Sequence, residues 1–400
     1  MKRRHDIDAL RAFAFASLIL YHVCMFYVAD WGWHVKSRYT PEWLQWPMLF
    51  MNRWRMDLIF LVSGVSTAFL LRKSARGDFF RQRSWRLLLP LFFGMIVIVP
   101  LQPYCQGVAN RLVEPGFWTF LMRYYSGYPW PAHAFDGWEH GFTWNHLWYL
   151  AYLWTYSMLL LAALPMFTSA WGRRVQSVFQ ALRGPRLLIW PAAPLLLYAA
   201  ALQTRFPQTH DLIHDWYWHP VYATMFIYGW WLGQSDEIWQ ELSRLRRIAL
   251  AAALCLFAAY LFLVKNQDDN LAPWTWYAIL ALRSLFIWTM ICAVLGWSHA
   301  LLNRPFRWLD WANESVYPWY ILHQTLIVGI GFAIGSLAWG PVLEPICVLA
   351  GTVIACWVLN DLLIRRVNFL RPLFGLKPHR GGSAGAREPN RNREQDAFRA

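Results

Sequence analysis

Apolar runs of spanning length, separated by short basic segments, dominate the chain. A membrane-crossing helix needs about 20 mostly apolar residues, and ten stretches qualify: 10–30, 56–72, 86–102, 145–166, 187–203, 218–234, 248–264, 276–298, 315–338 and 341–364. The fifth and sixth are interrupted by Pro191, Pro194 and Pro220. The first follows the basic opening MKRRHDIDALR without a small-residue cleavage site, so it reads as a retained span rather than a removed signal peptide. The pattern predicts an all-α polytopic membrane protein of about ten transmembrane helices.

With the amino end placed in the cytoplasm, 28 of the 37 Lys and Arg residues fall on the cytoplasmic side, 8 fall outside, and Arg283 lies within a span. Positive charge gathers on the cytoplasmic face of membrane proteins, so both termini are expected there. The chain divides into a transmembrane domain, 1–372, and a basic cytoplasmic tail, 373–400, whose Gly- and Arg-rich composition predicts disorder. No internal repeat is evident, which counts against a transporter built of two halves.

Composition reinforces this reading. The 400 residues are 57% hydrophobic and 15% charged, with 28 Trp, 26 Phe and 18 Tyr, too apolar for one soluble core. The net charge of +14 would suggest nucleic acid in a soluble protein, but its location in short loops and the tail excludes a phosphate-backbone face. The six cysteines (Cys24, Cys105, Cys255, Cys292, Cys347, Cys356) show no CxxC spacing, which argues against zinc and against a disulfide framework.

Ionisable residues inside spans carry the functional expectation, because burying them in hydrocarbon is costly. In RAFAFASLILYH, Arg11 and His22 are eleven residues apart, on nearly one helix face and roughly 16 Å apart along the axis. Arg11 then sits at the cytoplasmic mouth and His22 near the midplane, a separation comparable to an extended pantetheine arm. The competing reading is a snorkelling arginine and a histidine bonded to a neighbouring helix. Ser63 and His323 fall at similar depth, so residues of the first, second and ninth spans are expected to line one cavity. Gly64 beside Ser63 would admit a ligand or another backbone. Arg83 and Arg86, in RQRSWRLLLP, share a helix face at i and i+3, suited to phosphate or to plain membrane anchoring.

Other polar residues are open to two readings. Asp8 pairs with Arg11 or serves a substrate; Asp57, near Arg53 and Arg55 at the outer end of the second span, binds an acceptor or forms an ion pair; Arg283 needs an intramembrane partner. The outer histidines His133, His140, His146, His210, His214 and His219 include the i, i+4 pair in HDLIH, but that pair lacks the Glu of an HExxH zinc motif and no Cys cluster accompanies it, so no metal is expected.

Taken together, DIDALRAFAFASLILYH, MDLIFLVSGVSTAFLLRK, RQRSWRLLLP and SVYPWYILHQ resemble, in order, the signature segments of the membrane acyltransferases of acyltransferase family 3. The resemblance covers nearly the whole chain; VSGVSTAFLLRK and RLLLPLFFGMIVIVP are similar to a glucan-modifying subgroup. It implies an acyl-CoA-dependent O-acyltransferase of the bacterial inner membrane, moving an acetyl or succinyl group from cytoplasmic acyl-CoA to a hydroxyl of an extracytoplasmic glycan or lipid-linked sugar. Arg11 and His22 would then be catalytic, Arg83 and Arg86 would bind the donor, and Asp8, Asp57, Ser63, Gly64, Arg283, Tyr320 and His323 would touch substrate or line the cavity. Membrane lipids and other glycan-assembly proteins are the further expected partners. The alternative is an exporter of such a glycan without acyl transfer.

Overall fold

A computed structural model describes residues 4–266 and 272–379. The predicted disordered tail lies outside the described residues from 380 onward; before that, Phe374 and Leu376 are buried, so packed chain continues past 373.

Among the described residues all regular structure is helical. The principal elements are α1 (His5–Met25), α2 (Gln45–Lys73), α3 (Arg76–Phe93), α4 (Leu101–Ala109), α5 (Phe117–Tyr125), α6 (Trp148–Phe167), α7 (Ala170–Gln180), α8 (Pro185–Ile189), α9 (Ala193–Leu202), α10 (Trp218–Leu232), α11 (Asp236–Lys265), α12 (Pro273–Leu302), α13 (Leu309–Ile334), α14 (Leu343–Val358) and α15 (Leu370–Leu373). Each of the ten predicted spans coincides with one of these or with a joined pair. Seven are long and apolar enough to cross a membrane by themselves, or eight when α3 and α4 count as one bent span. The two that fall short, α10 and α13, have many buried residues. Shielded by protein from lipid, they can carry polar side chains that an outer helix cannot.

Local chemistry sets several boundaries. Pro185 starts α8 at a position where a missing N–H costs nothing, and Ser169 caps α7 by accepting from Gly172 N at 3.1 Å. At the outer end of α1, Lys36 reaches back to donate to Met25 O at 3.0 Å, placing a cation where the helix carbonyls end. After α3 the backbone passes through a π-helical turn, Gly94–Ile98, and bends by 40° into α4. That bend follows Pro90 inside α3 and Pro100 ahead of α4. It turns α4 so that Gln106 reaches the outer cavity described below.

The tightest helix contact joins α2 to α10. A Cβ at Gly64 would lie 2.0 Å from Phe226 O, and one at Gly229 would lie 1.8 Å from Leu61 O. Reciprocal glycines thus let two backbones touch, the close approach that small residues permit in membrane bundles. Gly64 therefore admits a neighbouring backbone, not a ligand.

Candidate active site

Two cavities penetrate the bundle from opposite ends. The inner one, about 270 Å³, is lined by Arg11, Lys73, Arg83 and Arg86, with Ser63, Ser66, Tyr149 and Tyr317. None of its lining residues is Asp or Glu, so four cations and no acid form its wall. Arg83 is buried, with Nε donating to Ser157 Oγ at 3.1 Å and Nη2 to Thr67 Oγ1 at 2.9 Å. Neutral hydroxyls aim the guanidinium without neutralising it. Arg86 lies over the Tyr317 ring at 5.2 Å, and Arg11 donates to Ser66 Oγ. Such a pocket suits phosphate oxygens, which guanidinium groups bind in a planar fork.

The outer cavity is far larger, about 1300 Å³, against the roughly 300–1,000 Å³ of common small-molecule sites. Its lining includes His22, His34, Arg53, Arg55, Asp57, Asp136, His146, Arg283, Tyr320 and Gln324, with Trp31, Trp33, Trp138 and Trp144 around them. Flat apolar rings beside polar groups are a surface on which sugar faces can stack.

His22 stands at the wall of this cavity, and its tautomer follows from its neighbours. His323 Nδ1 lies 2.7 Å from Tyr320 O and 3.1 Å from Trp319 O, and a carbonyl can only accept, so Nδ1 carries the proton. In the neutral ring His323 Nε2 is then an acceptor, and His22 Nδ1, 2.8 Å away, must be its donor. His22 Nε2 is left with a free lone pair on the ring edge away from His323. A histidine so held can take a proton from a hydroxyl. His146 braces the same helix, with Nε2 donating to Tyr320 O at 3.1 Å and Ile321 O at 3.2 Å, while Tyr320 Oη donates to His146 O at 2.5 Å.

The loops close over the cavity through a polar layer. His34 Nδ1 meets Gln106 Oε1 at 2.9 Å and Asp136 Oδ2 at 3.1 Å; Gln324 Nε2 lies 2.9 Å from His34 Nε2 and donates to Gln102 Oε1 at 3.0 Å. Burial opposes charge on His34, but the Asp136 carboxylate and Gln106 outweigh it and raise its pKa. Burial likewise works against the Asp136 carboxylate, yet His34 and Gln106 hold it down at about 2. His210, stacked on Trp148 at 4.5 Å, is kept neutral by burial and by nearby Arg55, its pKa lowered to about 4 despite Asp136.

Tyr149 belongs to the walls of both cavities. Its hydroxyl lies 2.6 Å from Ser63 Oγ, and its ring packs edge-on against Phe15 at 6.2 Å, Phe60 at 5.0 Å and Tyr320 at 5.8 Å. An aromatic septum therefore separates the two spaces.

This geometry redistributes the expected residues. Arg11, Arg83, Arg86 and Ser63 meet in the inner cavity; His22, Asp57, Arg283 and Tyr320 meet in the outer one. The single cavity expected for His22, Ser63 and His323 does not form: the septum divides the first two, and His323, fully buried, lines neither space but stands behind His22. The first helix runs His5–Met25 rather than 10–30, so His22 is three residues from its end and not at its middle. Asp57 lies well inside α2, since that helix begins at Gln45 rather than near 56. Asp8 lines neither cavity and acts electrostatically on Arg11. Arg283 finds its partners in Gln203 Oε1 and Tyr217 Oη, the latter at 3.1 Å. Tyr149, Thr67 and Ser157 are the residues that sequence reasoning missed. Thr67 alone carried a signal, being four residues after Ser63 on the same helix face.

Similarity to known proteins gives the class to which this helical bundle and its two cavities belong. The family model described as "Acyltransferase domain" matches residues 4–361, and the chain belongs to that family: it is an integral membrane acyltransferase. Among its relatives, the glucans biosynthesis protein C of Salmonella heidelberg (strain SL476) is 23% identical over 398 residues, covering 94% of this chain and 95% of the relative. The proteins of the same name from Salmonella typhi and Salmonella typhimurium are 22% identical over 395 residues with the same coverage. No solved structure matches the chain.

Proposed function

We propose that the protein transfers an acyl group, acetyl or succinyl, from cytoplasmic acyl-CoA to a hydroxyl of a glycan or lipid-linked sugar on the far side of a bacterial inner membrane. The observation that carries this reading is Tyr149, a wall common to a cationic cavity with no lining acid and to the cavity lined by His22. The resemblance to glucans biosynthesis protein C supports a glycan acceptor.

In this mechanism Arg83, Arg86 and Arg11 take the CoA phosphates, and the pantetheine arm follows the three turns of α1 between Arg11 and His22. The Tyr149–Ser63 pair must part for the thioester to pass. His22 Nε2 then removes the acceptor hydroxyl proton as that oxygen attacks the thioester carbonyl carbon. The new C–O bond forms, the C–S bond breaks, and the leaving thiolate takes the proton back from the His22 imidazolium. His323 supports the charged intermediate by accepting from His22 Nδ1, and it touches no reacting atom.

Free CoA released by the purified full-length protein in nanodiscs, with an oligosaccharide acceptor, tests the reading. His22→Ala should lose about 10²–10⁴ of the rate. Full CoA release by that variant would overturn the assignment of the base, and loss of no acyl mass from envelope glycans in cells lacking the gene would overturn the acceptor class.

A further inference from the structure

The mechanism leaves unused a group of cations in the outer cavity. Arg55, on α2, is 7% exposed, and its Nε and Nη1 have no hydrogen-bond partner. Its guanidinium lies 3.4 Å from the centre of the Tyr21 ring, and Tyr21 in turn lies 5.8 Å from the ring of His22. Arg53, two residues before it, donates to Tyr260 Oη at 2.9 Å and leaves its own buried Nε unpartnered. The one carboxylate on this stretch, Asp57, acts on Arg283 from a buried position. Arg53, Arg55 and Arg283 therefore stand against a single Asp57 in this part of the cavity wall. A guanidinium withdrawn from water without a counter-ion is expensive. A tyrosine face offsets only part of that cost.

We propose that Arg55, assisted by Arg53, is an anion-binding subsite of the outer cavity, beside His22, that takes the carboxylate or phosphate oxyanion of a substrate. Two substrates could bring that oxyanion. One is the far end of a dicarboxylic acyl group, which reaches this wall when its thioester is at His22. The other is an acidic group on the acceptor. Either way Arg55 selects among substrates, where Arg83 and Arg86 at the opposite end bind the donor common to all of them. The assignment to substrate rests on the acyl-transfer reading, whereas binding of an anion does not.

The test uses the full-length protein in nanodiscs, with Arg55→Gln and Arg55→Lys. Donor preference is read as the ratio of kcat/KM for a four-carbon dicarboxylic half-thioester of CoA over its uncharged four-carbon counterpart. Acceptor preference is read as the same ratio for an acidic over a neutral oligosaccharide. Arg55→Gln should lower one of these ratios by about tenfold or more, the worth of one charge-assisted hydrogen bond, and Arg55→Lys should restore part of it. A fall in the donor ratio places the anion on the acyl group, and a fall in the acceptor ratio places it on the acceptor. If neither ratio moves, the subsite is wrong. If the wild type releases CoA from no thioester, the acyl-transfer reading fails instead, and tryptophan fluorescence titrated with succinate and with inorganic phosphate decides the subsite. Binding weakened in Arg55→Gln and kept in Arg55→Lys upholds it, and equal binding by all three overturns it.

Discussion

His22 Nδ1 and His323 Nε2 lie 2.8 Å apart in rings only 5° from parallel. Two main-chain carbonyls on α13 hold the far proton of this pair, so the protein chooses the tautomer of its base with groups that cannot titrate. Replacing His323 by Gln, which can still accept from His22 Nδ1, should keep most of the CoA-release rate. His323→Leu should lower it by about 10- to 100-fold, as loss of an orienting group commonly does. Equal rates for the two variants would show that His323 only fills space.

The inner cavity has four cations and no lining acid. Arg83→Gln should raise KM for acyl-CoA by about tenfold while changing kcat less, because binding of the phosphates is felt before the reaction as well as during it. The effect should shrink as salt is added. A fall in kcat at constant KM would move Arg83 from donor binding to chemistry.

Gly229 offers a test of the bundle itself. Its missing side chain leaves room for Leu61 O, so Gly229→Ala must push α10 away from α2. Overpacking of this kind costs about 1–3 kcal/mol, and thermal melting in detergent should show a lower midpoint. Gly32→Ala, where nothing lies within 4 Å of the new Cβ, is the matched control.

The loop layer should respond to pH with a definite sign. His34 has a raised pKa in the folded protein, so its pairing with Asp136 contributes fully below the unfolded histidine value of about 6.5 and is lost as pH rises through the folded value. The depressed Asp136 contributes above about 3.9 and loses its share only as pH falls towards 2. Hydrogen exchange around residues 31–37 and 133–137, corrected for intrinsic rates, should therefore quicken between about pH 6 and pH 9. His34→Gln should exchange quickly at both.

Much of the architecture could be read from apolar run length alone, because a helix facing lipid has little freedom in composition. The division of the site could not. Whether Ser63 shares a cavity with His22 depends on where Tyr149 stands, and a tyrosine within WYLAYLWTYS gives no sign that it differs from its aromatic neighbours. The depth of Asp57 depended on the extra outer turns of α2, whose residues 45–55 mix Arg, Asn and Gln with apolar side chains and so escaped the hydropathy pattern. His34, Gln106 and Asp136 meet through loops and a bent helix, and no sequence spacing encodes that meeting. Arg11, Arg83 and Arg86 were legible because their spacing, eleven residues before His22 and i, i+3 within RQRSWR, sets them apart from the other basic residues beside the spans.

Tyr149 and its ring of aromatic neighbours have one more consequence. A membrane that stores energy as a voltage tolerates no open aqueous path between its faces, and a protein with a cavity wide enough for water at each end is a potential short circuit. The Tyr149–Ser63 bond stands where such a path would otherwise open. On the proposed reaction, an uncharged acyl group handed across such a barrier would move no net charge through the field, whereas a dicarboxylic one would take its carboxylate with it.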